Sequence, residues 1–155
     1  MTLFILAVLL GAADAGGCEG MVEARGDQAM GFSHARTAHH FTLTGSGGTI
    51  LAEARSPSDS ASRDAIRTHI RHIAAAFAAG NFEMPMFIHG RTPPGVPAMK
   101  RLKDRISYSA RDTDRGAEVV VETSDHEALE AVHQFLQFQI EDHHTGDSLE
   151  VSKSL

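Results

Sequence analysis

Imidazole is the commonest metal ligand among side chains and the one group that titrates near neutral pH, and this chain carries ten histidines in 155 residues. Several fall where a soluble domain would place an aliphatic residue. His133 lies within the apolar stripe of Leu129, Val132, Leu136 and Ile140, where burying its ring demands partners for both nitrogens. His69 and His72 stand three apart in a helical segment, so both can reach one ion from a single surface. His39 and His40 are neighbours in a strand-like run; side-chain alternation sends one toward the helices and the other to solvent or a partner. In Met84-Pro85-Met86 the residue before proline favours extended backbone, and positions two apart then share a side. Two thioethers beside His89, with Met99 further along, would suit copper, above all Cu(I). His143 and His144 end the last helix, where partly cationic imidazoles meet the negative end of the helix dipole.

Each candidate also has an ordinary structural reading. His133 can be a core histidine bonded to a backbone carbonyl and a hydroxyl, His69 and His72 a half-exposed flank, and the methionines fillers of irregular core gaps. The chemical expectation is therefore copper or zinc held by His39 or His40, His69, His72 and His133, with His89, Met86 and His143 in reserve. Ligands of this type compete with protons, so binding should weaken as pH falls through about 6.5, the ordinary imidazole pKa.

Signatures of other chemistry are missing. There is no G-x-S-x-G elbow, no H-E-x-x-H and no P-loop, and His126-Glu127 lacks the second histidine of a zincin. Two further functions stay open beside metal binding: a metal-free envelope module that docks a protein, a small ligand or a second copy of the chain, and a hydrolase in which three protein ligands leave zinc a position for water. The balance of motifs favours a binding protein over an enzyme. A formal charge of −6 speaks against a general polyanion binder, and no nucleic-acid partner is expected.

Two hairpins and two long helices must position these residues. Thr37 to Thr44 and Thr49 to Arg55 are β-compatible runs around the turn Gly45-Ser46-Gly47-Gly48. From Ser60 to Ala79 the period becomes helical, with Ile66, Ile70, Ile73 and Phe77 on one stripe and Gly80-Asn81 as the stop. Arg63, Arg67 and Arg71 share another face and read as a solvated row. Residues 82–97, which hold four of the five prolines, read as stiff and irregular, followed by a short helical piece near Ala98 to Lys103. Ile106 to Arg111 and Ala117 to Thr123 form a second β pair, and Ser124-Asp125-His126-Glu127 fits a capping box for a last helix that runs to about His144 and closes at Gly146.

The stripe Ile66, Ile70, Ile73, Phe77 superposes at constant offset on Leu129, His133, Leu136, Ile140. That repeat predicts an α+β fold: an antiparallel sheet of about four strands with two main helices on one face, either a duplication of ββα units or a generic α+β domain. The length and a hydrophobic content of 42% suit one domain over residues 37–150.

Leu3-Phe4-Ile5-Leu6-Ala7-Val8-Leu9-Leu10 followed by Ala13-Asp14-Ala15 has the form of an export signal over residues 1–17; the run is shorter than the about 20 apolar residues that span a bilayer. It lacks the usual basic start, so a buried strand or helix is the other reading. Ala15-Gly16-Gly17-Cys18 also fits a lipoprotein processing site, which would anchor the chain to a membrane at its one cysteine. These features place the protein in the periplasm or envelope. Residues 18–36, without a period, read as a linker or a loosely docked arm.

The segments Met30-Gly31-Phe32, Thr37-Ala38-His39-His40-Phe41, Met86-Phe87-Ile88-His89, Pro93-Pro94-Gly95-Val96-Pro97 and Val132 to Ile140 resemble a group of small exported bacterial proteins of unassigned activity. Relatives in that group are sometimes labelled aspartate carbamoyltransferase. This chain has neither the length nor the Ser-Thr-Arg-Thr phosphate-binding signature of such an enzyme, so the resemblance implies export and carries no carbamoyl transfer.

Overall fold

The computed structural model describes residues 25–28 and 30–152. The segment read as an export signal and Cys18, read as a lipidation site, lie outside the described residues. Among those described, no helix is long and apolar enough to cross a membrane.

Two hairpins build the sheet. The first pairs β1 (Thr37–Thr44) with β2 (Gly47–Ala54), and the second pairs β3 (Ile106–Asp112) with β4 (Gly116–Thr123). The strand order is β1-β2-β4-β3, antiparallel throughout, so the second strand of each hairpin lies at the centre. α1 (Ser60–Ala78) follows the first hairpin and α4 (His126–Asp142) the second, which gives the two expected ββα units. Each long helix reaches over to the other unit: α1 packs mainly on β3 and β4, α4 mainly on β1 and β2. The turn of the first hairpin is shorter than the glycine cluster suggested, because Gly47 and Gly48 already belong to β2.

Helix ends follow local rules. Asp59 caps α1 by accepting from Ser62 N–H. At the other end Gly80 takes φ +77°, and Asn81 N–H returns to Ala76 O at 2.8 Å. For α4 the capping residue is Asp125, whose carboxylate accepts from Ala128 N–H at 3.0 Å, and not Ser124 as the capping box predicted. Glu127 turns away to pair with Arg101.

The connection 82–97 is not irregular. It contains α2 (Glu83–His89), and α3 (Val96–Arg101) follows. Pro85 is the third residue of α2, where the missing N–H would have had no helical partner and the ring is tolerated. α3 sits tightly on α4: Gly95 has φ +80°, and a Cβ there would lie 2.0 Å from Ala131 O.

The core lies between the sheet and the helices. Phe77 and Phe82 stack with centroids 4.4 Å apart, and Phe135 meets each of them edge-on, which ties α1, α4 and the start of α2 together. The arm before β1 is docked: residues 25–28 are helical and Phe32 is buried. The arginine row is only partly solvated. Arg67 donates to the Thr113 and Gly116 carbonyls and Arg71 grips Asp112 with two contacts of 2.7 Å, so together they pin α1 to the second hairpin. After α4, the chain returns along the outer edge of β1, where Ser152 N–H donates to Leu43 O. That contact shields the edge of the sheet.

Candidate functional site

β1 determines where the histidines can meet. Thr37, His39, Phe41 and Leu43 point toward the helices, and His40 points away, as alternation requires. His39 thus reaches beneath the C-terminal end of α4, and its ring faces that of His143 with centroids 6.3 Å apart and planes 19° from parallel. His143 meets His89 of α2 edge-on at 5.0 Å. On the far side of His39, Phe32 stacks on it at 6.4 Å and receives the edge of His69 at 5.5 Å. Four segments distant in sequence therefore bring His39, His69, His89 and His143 to one place.

These rings surround a small cavity of about 80 Å³, otherwise lined by Gln139 and by apolar side chains that include Ile73, Met84 and Phe135. His39 and His143 also form the inner wall of an outer cleft of about 300 Å³, which adds His34, His40 and His144. The two rings separate an apolar interior from a histidine-lined mouth.

Burial drives the inner imidazoles toward the neutral form. His39 is pushed down to about 4, first by burial and then by like charge from His40, Arg55 and His34. His69 falls to about 4 through burial, then His39 and His72. His143 falls to about 3 through burial and then His89 and His39, with Asp142 opposing. Neutral imidazole is the form that binds metal.

Carboxylates orient three other rings from behind. Asp27 lies 3.0 Å from His34 Nδ1, Asp147 lies 3.0 Å from His40 Nδ1, and Asp142 lies 2.5 Å from His89 Nδ1. A carboxylate on Nδ1 fixes the ring, the arrangement common behind metal-ligating histidines, although the Nε2 of His89 turns inward to Gln139 Oε1. Asp147 also accepts from Phe41 N–H; burial raises its pKa, but that hydrogen bond and His40 more than offset the rise and leave it lowered. Asp142 is likewise raised by burial and brought down further by His89 and Arg91.

His144 has φ +49°, the one non-glycine residue with positive φ among the described residues. It occupies the position after the α4 cap where glycine is usual, and Thr145 N–H closes the motif on Ile140 O. α4 therefore ends at Asp142, with His144 rather than Gly146 making the turn. A strained histidine at the rim of a cleft is a functional clue.

The sequence-predicted residues divide. His39, His69, His89 and His143 converge at the cavity, and His40 joins the cleft from the outer face of β1. His133 goes elsewhere: its Nε2–H donates to Thr44 O at 2.9 Å and Gly47 O at 3.1 Å, and so it latches α4 to the first hairpin. The buried face of α4 is wide: Val132, Leu136 and Ile140 of the predicted stripe are buried together with Ala128, Ala131, Phe135 and Gln139, whereas Leu129 and His133 lie on its flank. Thr44 lies five residues along β1 from His39, about 17 Å at strand rise, so His133 is remote from the cavity.

His72 is exposed, and shares with His69, Met30 and Met84 a groove outside the cavity. Because 83–89 is helical, Met84 and Met86 do not share a side as the extended reading required. Met84 faces the cavity, whereas Met86 Sδ lies 4.0 Å from Lys100 Nζ. Met99 is core. His34 was not singled out by sequence reasoning, because it lies in a stretch without period. His144 was read only as a dipole partner.

Among the described residues, no three His, Cys, Asp or Glu side chains stand around one point as ligands of a single ion. Coordination in the cleft thus requires rotation of side chains, for which the exposed His40 and His144 have room.

The site and fold define an α+β domain of two ββα units with a histidine-lined cleft at one end of the sheet. No protein-family model, curated protein or solved structure matches the chain.

Proposed function

We propose that this is an exported protein that binds one transition metal ion, copper or zinc, in the cleft between β1 and the end of α4. The observation that carries the reading is the shared wall: His39 and His143, both held neutral by burial, back a cleft whose rim holds His34, His40 and His144. Imidazole suits both metals, and a zinc–nitrogen bond of about 2.0–2.1 Å puts two ligating ring centroids about 5–6.5 Å apart. The His39–His143 centroids lie 6.3 Å apart with planes 19° from parallel, so both rings must turn their nitrogens toward an ion to share it.

Charge supports the reading on balance. Arg55 lines the cleft and works against a cation. Asp27 and Asp147 behind two of the rings, and the negative end of α4, work for one. His69, with His72, Met30 and Met84 beyond it, offers softer donors next to the cleft, which favours copper over zinc if the ion moves inward.

The test is metal content and affinity of untagged protein, with His39→Ala and His143→Ala as the variants. Loss of the ion in folded variants supports the proposal. Equal affinity in both, or no binding by the parent protein, rejects it.

A further inference from the structure

Gln139 lies on the inner face of α4, 5% exposed, and lines the same small cavity as His39 and His69. The two ends of its amide have different fates. Oε1 is engaged by His89 Nε2 at 3.0 Å, and His89 is itself fixed through Nδ1 by Asp142, which Arg91 holds from outside at 3.0 Å. Nε2 donates to no acceptor among the described residues. A chain of contacts from the surface thus clamps one end of the amide and leaves the other end as an unused donor in an apolar chamber.

Buried polar groups are ordinarily paired, and each exception calls for an explanation. Water is a poor one here. A buried water is retained by two to four polar partners, and the cavity walls offer mostly carbon, from Ile50, Ile70, Phe77 and Met84 among others. On the measure by which one water needs about 10–15 Å³, a chamber of this size takes roughly half a dozen non-hydrogen atoms. One orphaned donor in a lining that, between the four imidazoles, is mostly carbon matches a molecule with one acceptor oxygen on a compact hydrocarbon body.

We infer that the cavity beneath His39 and His143 is a binding site for a small apolar carbonyl compound, a ketone, aldehyde or ester, whose oxygen accepts from Gln139 Nε2–H. Specificity has two sources. The hydrocarbon part fills the volume between α1, α2 and the sheet, and the one oxygen relieves the orphaned donor, so an isosteric hydrocarbon lacks half of the recognition. The site uses Gln139 and the apolar walls, so it does not depend on a metal in the cleft.

The probes are cyclohexanone and methylenecyclohexane, which differ by C=O against C=CH₂. The full chain, stripped of metal with chelator, is titrated with each while the side-chain amide signals of Gln139 are followed by NMR. The ketone is expected to bind at least tenfold more tightly than the hydrocarbon and to shift the Gln139 amide protons, and Gln139→Leu should bring the two affinities within about twofold. Equal affinities in the parent protein, or no response of the Gln139 amide to the ketone, would overturn the inference and leave water as the occupant. The parent comparison stands even if Gln139→Leu fails to fold. Retention of ketone preference alongside weakened metal binding in His144→Gly, whose ring lines the cleft and not the cavity, would separate this site from the cleft.

Discussion

His39 and His143 lie 6.3 Å apart in the inner wall of a histidine-lined cleft, one from an edge strand and the other from the end of the last helix. Neither ring could be buried beside the other as a cation, so their contact makes the fold sensitive to acid.

Stability should fall as pH falls from about 6.5 toward 4. In the unfolded chain His39, His69 and His143 take up protons near 6.5. In the folded chain they do so only near about 4, about 4 and about 3. Between those limits the unfolded state binds more protons, so the stabilisation is complete above the unfolded value and drains away below it. Because the three interact, their combined effect is on the order of 3 kcal/mol rather than the sum of separate shifts. Urea unfolding at pH 7.5, 6.0 and 5.0 measures it. A midpoint independent of pH would contradict the neutral cluster.

His144→Gly should stabilise the fold by about 0.5–1 kcal/mol, because glycine takes the left-handed turn without the cost to a Cβ. The same change should weaken metal binding by removing an imidazole from the rim. Thermal unfolding and a zinc titration of one variant read both effects. A loss of stability would show that the histidine ring, not its backbone, holds this turn.

His133→Ala should cost about 1–2 kcal/mol, since it releases the Thr44 and Gly47 carbonyls from α4. Metal affinity should be unchanged. Loss of the ion in a folded His133→Ala protein would restore the ligand role that its position in the sequence suggested.

Gly95→Ala should destabilise by at least about 3 kcal/mol, because the new Cβ meets a backbone carbonyl of α4 at a residue with positive φ. Denaturant titration checks this, and a loss below 1 kcal/mol would mean that α3 slides freely on α4.

The hairpins and long helices were legible because each repeats a short period over many residues, and Gly80-Asn81 ended α1 as its chemistry requires. α2 was hidden by Pro85, which reads as a breaker until its place in the first turn is known. The alternation of His39 and His40 was readable from strand geometry alone. His133 misled because an apolar stripe does not tell its centre from its flank, and only packing against β1 and β2 decides which of its positions are fully buried. The cleft itself was not readable: it joins a short turn at His34, one edge strand and a helix terminus, and nothing local in any of these announces the other two.

The decisive measurement is a calorimetric titration of untagged, chelator-stripped protein with Cu(II) and with Zn(II), at pH 7.5 and again at pH 5.5. One ion should bind per chain, His39→Ala and His143→Ala should each weaken it at least tenfold, and the buried pair, neutral down to about 4 and about 3, should keep their share of the binding at pH 5.5. No binding of either metal at pH 7.5, or binding that survives both substitutions undiminished, would contradict the account.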